Sequence, residues 1–149
     1  MEVHVRSARL TDLDALRRIL ARDTEDAATA HNQADTLRNL LYVPSATVLV
    51  AEAQRRVVGI GVLAIRPSVR FGPFIGVVDE LAIAHASELG GTADRLRVAG
   101  EIVEHLAVSA RNKGCTRVEV GEPLASAEPA LWKRAGFASR GRTLSRTAG

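Results

Sequence analysis

Val3 and Val5 alternate with His4 and Arg6 at the start of the chain, the period of a strand with one covered face. Thr11 and Asp12 are good helix N-cap residues. Leu13, Leu16, Ile19 and Leu20 follow at helical spacing, which predicts a first helix running to about Arg22. A second is expected over about Gln33 to Leu41, with Leu37, Leu40 and Leu41 as its seam and Pro44 beyond its end. Thr47 to Ala53 and Val57 to Arg66 are β-rich runs separated by Gln54, Arg55 and Arg56, a spacing that predicts an antiparallel hairpin. Gly59 and Gly61 fall on one face of its second strand, where a helix or a ligand must approach closely, and helix packing is the commoner cause. Pro67 to Pro73 makes another turn, and Phe74 to Ala84 reads as the third long strand.

In the second half, His85 to Asp94 reads as a loop carrying Gly90 and Gly91. Leu96, Ala99, Val103, Leu106 and Ala110 then recur at three and four residues, laying one apolar stripe of a helix, about Arg95 to Asn112, against a sheet. Gly114 ends that helix. Thr116 to Val120 is a strand that a right-handed crossover can set parallel to its predecessor. Ala127 to Ala135 reads as a short helix stopped at Gly136, and Phe137 to Thr147 as one or two final strands turning at Gly141. The expected architecture is α/β in the α+β sense. A mixed, mostly antiparallel sheet of six to seven strands carries about four helices, in one domain over residues 1–149.

Composition narrows the function classes. With 149 residues, 46% hydrophobic and 25% charged, the chain has the make-up of a folded domain rather than a disordered one. Its longest apolar run, Val57 to Ile65, is far short of the roughly 20 residues that cross a bilayer. Met1 to Arg9 lacks the apolar core and cleavage site of a secretion signal, so a cytoplasmic location is expected. One cysteine, Cys115, and four scattered histidines form no ligand cluster, and no metal is expected. The net charge is only +3, although 18 of the 20 basic residues are arginine, a side chain suited to phosphate. Aromatics make up 3% and the arginines are dispersed, which argues against nucleic-acid binding.

The element order, together with three short segments, resembles the GNAT superfamily of N-acetyltransferases over nearly the whole chain. Val78-Asp79-Glu80-Leu81-Ala82-Ile83 is similar to the family's fourth strand, Leu131-Trp132-Lys133-Arg134-Ala135-Gly136-Phe137 to its late helix-to-strand segment, and Arg6-Ser7-Ala8-Arg9-Leu10-Thr11-Asp12 to its opening. The resemblance implies acetyl-CoA as acyl donor, with no metal, and a primary amine of a small molecule or peptide as acceptor; a homodimer is also compatible with it. It implies that the main chain of Leu81, Ala82 and Ile83 meets the pantetheine arm and thioester, one N–H polarising the carbonyl. A glycine-rich turn opening the long helix would cradle the pyrophosphate.

Registering the helix on Ile102 and Val103 puts that turn at Asp94-Arg95-Leu96-Arg97-Val98-Ala99; sliding by one residue gives Arg95-Leu96-Arg97-Val98-Ala99-Gly100, and Gly90 with Gly91 is the other candidate. Arg95 and Arg97 would then serve as phosphate cations. Asp79 stands where the family's carboxylate base is found, and Glu80 takes that place if a bulge shifts the strand's alternation. Trp132 stands in place of the family's proton-donating tyrosine, as a hydrogen-bond donor or as a packing residue against CoA or the core, and its indole is no acid near neutral pH. His85, directly after the Phe74 to Ala84 strand, is a secondary candidate as a proton relay, and the resemblance puts Tyr42 beside the acceptor pocket. The altered phosphate turn and the absent tyrosine also fit a catalytically inactive binding or regulatory module of this fold.

Overall fold

In the computed structural model, which describes residues 1–21, 26–139, 141 and 144–148, five strands form one sheet in chain order. They are β1 (Val3–Ser7), β2 (Ala46–Ala53), β3 (Arg56–Pro67), β4 (Phe74–Ile83) and β5 (Cys115–Val120). The first four run antiparallel to their neighbours and β5 lies parallel to β4. The crossover between them contains α3 (Ala86–Leu89) and α4 (Thr92–Asn112); α1 (Leu13–Ala21) and α2 (Ala27–Leu40) come earlier, α5 (Leu124–Ala127) and α6 (Pro129–Arg134) later.

Among the described residues there are thus five strands and six helices, fewer strands and more helices than the sequence pattern suggests. The expected final strands are absent: residues 137–139, 141 and 144–148 form none, and Leu144 is exposed. After Phe137 the chain carries no alternating apolar set, so pairing there would bury little to offset the entropy of ordering. Arg140 and Arg142, within the expected final strands, lie outside the described residues, as does Arg22; Arg146 is exposed and in no strand. The late helix is broken at Glu128 into α5 and α6, with Pro129 opening the second. The second helix begins six residues earlier than the expected Gln33, because Asp26 caps it: Oδ1 accepts from the Ala28 N–H (3.1 Å) and Oδ2 from the Thr29 hydroxyl (2.8 Å).

The sheet separates two cores. On one face α4 lays Val98, Ile102, Leu106 and Ala110 against Leu63, Val78 and Ile83. On the other, Leu13, Leu16, Ile19 and Leu20 of α1 and Leu37 of α2 cover Val48, Val50, Ile60, Val62 and Ala82. The two strand glycines are explained by the first packing. A Cβ on Gly61 would lie 2.4 Å from Ile102 Cγ2, and one on Gly59 2.9 Å from Ile102 Cδ1, so α4 seats on β3 only where side chains are missing.

The α1 side is anchored by charge. Arg6 on β1 donates to both carboxylate oxygens of Asp12, at 2.8 Å each, and to Glu52 Oε1 on β2 at 2.6 and 2.9 Å. Asp12 does not cap α1 directly. It closes a short 3-10 turn, Leu10–Asp12, by accepting the Arg9 backbone N–H at 2.7 Å, and that turn runs into α1. It is 5% exposed, and its bonds to Arg6 hold its carboxyl below the usual carboxylate range while raising the guanidinium.

Because the folded Asp12 is the stronger acid, its contribution is complete above the unfolded value of about 3.9 and is lost as pH falls through the lower folded value. Asp12→Ala leaves Arg6 without its principal partner and should cost about 3 kcal/mol in denaturant unfolding. Asp12→Asn should remove part of the stability loss between about pH 4 and the acid transition, read from melting temperatures across pH.

Candidate active site

The site is created by a mismatch between β4 and its two neighbours. Against β5, pairing runs from Phe74↔Cys115 to Val78↔Val120 and stops, while β4 continues to Ile83. Against β3, Leu63 faces Val78 and Val62 faces Glu80, so Asp79 is an extra residue, a β-bulge. Val78 and Leu81, three residues apart, consequently both face α4, which strict alternation forbids. Ala82 packs on the α1 side, and Glu80, two residues before it, shares that face.

Main-chain direction follows from the same register. The Ala84 N–H donates to the Val58 carbonyl at 2.8 Å, so Ala82 and Glu80 use their backbone groups toward β3. The N–H and C=O groups of Leu81 and Ile83 point the other way, where β5 has already ended. One of these donors is taken by a side chain: Glu80 Oε1 accepts the Leu81 N–H at 2.9 Å. Asp79 is exposed and makes no hydrogen bond or ion pair with a described residue.

The long helix begins three residues before its expected start. Gly90, at φ 98°, ends α3, and Gly91 is the N-cap of α4 without a side-chain cap. The Arg95 N–H closes on the Gly91 carbonyl at 3.2 Å, leaving the N–H groups of Thr92, Ala93 and Asp94 without helical acceptors. Of the alternatives, Gly90 and Gly91 are therefore the residues at the helix opening. Arg95 to Gly100 lie one to two turns inside it, where N–H groups are spent on the helix.

Val98 and Ala99 are fully buried against the sheet. Arg97 donates to the Met1 carbonyl beside β1, at the opposite edge of the sheet from β5, and Arg95 pairs with Glu128. Neither arginine is poised at the helix opening. Gly100 and Leu96 instead line a groove of about 210 Å³ against α6. The side chain that does sit at the opening is acidic: Asp94 Oδ2 lies 2.8 Å from the point a Cβ on Gly90 would occupy.

Trp132 is a core residue. It is 4% exposed, its Nε1–H donates to the Leu124 carbonyl at 2.9 Å, and its ring meets Phe137 edge-on at 5.2 Å. Its single donor is therefore used within the fold. Cys115 sits at the closed end of the β4–β5 ladder, and burial pushes its thiol up, away from a reactive thiolate. His85 is exposed immediately before α3, and Tyr42 is exposed just beyond α2. The sequence allowed a bulge as an alternative, but whether it forms depends on cross-strand register. Gly90 and Gly91 were likewise one of the alternatives for the helix opening.

No protein-family model and no curated protein matches the sequence. Solved structures do. An aminoglycoside 6′-N-acetyltransferase from Acinetobacter haemolyticus superposes with a TM-score of 0.78 at 17% identity, covering 98% of each chain. An aminoglycoside N-acetyltransferase in complex with CoA gives 0.79 at 16% identity, over 99% of this chain and 96% of that one. Glucosamine-6-phosphate N-acetyltransferase from Arabidopsis thaliana gives 0.74 at 14% identity over the whole of both. This chain has the fold of the GNAT N-acetyltransferases. Among the described residues no three His, Cys, Asp or Glu side chains group to hold a metal, and no helix is long and apolar enough to cross a membrane.

The Glu80 to Leu81 contact is directly measurable. In Glu80→Ala the Leu81 amide should exchange with deuterium several-fold faster, while the Ala82 amide, bonded into β3, should stay protected, as read by amide-resolved hydrogen exchange.

Proposed function

We propose that the chain transfers an acetyl or related acyl group from acyl-CoA to a primary amine. The observation that carries this reading is the length of β4 beyond Val78 that β5 does not reach, whose Leu81 and Ile83 main-chain groups face the opening left where β5 ends. A thioester arm laid there takes the place of a sixth strand, pairing with those groups as an extended peptide pairs with a sheet edge. Acetyltransferases of this fold, one of them in complex with CoA, support the donor.

In this reading the Leu81 N–H donates to the thioester oxygen as it gains charge. That requires Glu80 to give up the same N–H. The carboxylate so displaced lies on the α1 face, the acceptor side in the resembling family, and takes the proton from the attacking amine. The amine nitrogen bonds to the carbonyl carbon, the carbon–sulfur bond breaks, and the CoA thiolate leaves to be protonated from water, since the Trp132 indole cannot supply a proton. The bulge thus moves the base from Asp79, where simple alignment puts it, to Glu80. At the anionic end of the donor, Thr92, Ala93 and Asp94 offer N–H groups, opposed by the Asp94 carboxylate.

Acetyl-CoA should raise the melting temperature of the protein, and CoA should appear in a free-thiol assay across a panel of amines. Absence of a melting shift at millimolar acetyl-CoA would instead leave a binding module of this fold. Removing one like charge beside the phosphates, in Asp94→Asn, should tighten acetyl-CoA about fivefold, the equivalent of roughly 1 kcal/mol for a solvated charge pair.

Glu80→Gln should lower kcat about 100-fold and abolish the acidic limb of the kcat/KM profile, whereas Asp79→Asn should stay within about threefold of the parent. The reverse pattern assigns the base to Asp79.

A further inference from the structure

A pocket of about 320 Å³ opens beside α1, beyond the end of β4. It is lined by Arg18 and Ile19 of α1, by Arg55 and Arg56 where the β2–β3 turn enters β3, and by Val57, Val58, Ala84 and Glu88. None of the residues Asp79–Ile83 or Thr92–Asp94 lines it, so it is distinct from the acyl-donor opening.

The chemistry of its walls is specific. Among the described residues, three arginines line one pocket with a single carboxylate, Glu88, an excess of two positive charges. Arg56 spends one donor on the Glu88 carbonyl at 3.1 Å. Arg18 and Arg55 make no hydrogen bond or ion pair with any described residue. Arg55 is held at φ 64° and Gln54 at φ 53°, in the left-handed region where glycine or asparagine is usual, so an arginine is presented from a turn that disfavours it. Below the cations the floor is apolar, formed by Ile19, Val57, Val58 and Ala84.

We propose that this pocket binds a small organic phosphomonoester. Guanidinium forks match phosphate oxygens in pairs of parallel hydrogen bonds, and the dianion balances the two excess charges. The apolar floor takes the organic part. The volume lies at the lower end of ligand pockets, enough for one ring or a short chain with its phosphate and too small for a dinucleotide.

The site is independent of the acyl-transfer reading, and its test uses phenyl phosphate and inorganic phosphate as probes in titration calorimetry. Phenyl phosphate should bind saturably at one site, several-fold tighter than inorganic phosphate because only the former covers the floor. In Arg18→Gln/Arg55→Gln, shown by its unliganded melt to be folded, that affinity should fall about tenfold or more, the equivalent of losing one charge-assisted hydrogen bond. Asp94→Asn should leave it unchanged. The proposal is overturned if binding is not saturable, if the double variant binds phenyl phosphate as the parent does, or if Asp94→Asn strengthens binding, which would place the anion at the start of α4. Loss of acetyl-CoA affinity in the double variant would likewise overturn it, by assigning the arginines to the acyl donor.

Discussion

Backbone hydrogen bonds have to be completed, and on β4 they are completed on one side only. β3 satisfies one edge of the strand to its end, whereas β5 stops at Val120, opposite Val78, and does not reach the last five residues of β4 on the other edge. Main-chain polar groups in such a position need acceptors and donors from elsewhere. Glu80 answers for one of them with its own carboxylate. The site is therefore less a cavity cut into the fold than an unfinished ladder, and its capacity to hold an extended arm follows from that deficit.

The rest of the structure holds this edge in place. α4 follows β4 after the short α3 and seats on the sheet because Gly59 and Gly61 remove the side chains that would strike Ile102. On the opposite face, the buried Arg6–Asp12–Glu52 cluster ties the start of α1 to β1 and β2. Apolar packing alone would leave the axial position of α1 free to slide. A bidentate ion pair to a buried carboxylate has one good geometry, and breaking it leaves a charge without its counter-charge in the interior.

Charge is also distributed by task. Arg6, Arg95 and Arg97 hold carboxylates or carbonyls of the chain itself, and Arg117 lies 4.1 Å above the Phe71 ring at the closed end of the β4–β5 ladder. Arg18, Arg55 and Arg56 line one open pocket, Arg56 with one donor on the Glu88 carbonyl. The start of α4, where a phosphate-binding helix profits from positive charge, carries Asp94 instead. Counting arginines would have put the cations and the anion site together; their partners set them apart.

Much of this was legible in the order of residues. Period-two and period-three-to-four apolar patterns report which faces are covered, so β1 to β5, α1 and the stripe of α4 could be read locally, as could the close packing at Gly59 and Gly61. Likewise Val78 to Ile83 marked the strand on which the candidate site is built. Boundaries that depend on single caps were misplaced: Asp26 starts α2 early, and Gly91 starts α4 three residues ahead of Arg95. Core packing of Trp132 was among the readings the sequence allowed, but the partners of Arg95, Arg97 and the Trp132 indole were not legible, because a donor's availability depends on whether Glu128, the Met1 carbonyl or the Leu124 carbonyl lies beside it. Above all, the facing of Asp79 and Glu80 is a matter of register with β3. One extra residue on one strand inverts every later side chain, and no periodicity within β4 alone reveals it, since the bulge is defined only against its partner. The chain by itself determined which segments are strands and helices, because burial patterns are local; tertiary pairing decided which carboxylate faces which side, because register is a relation between two segments.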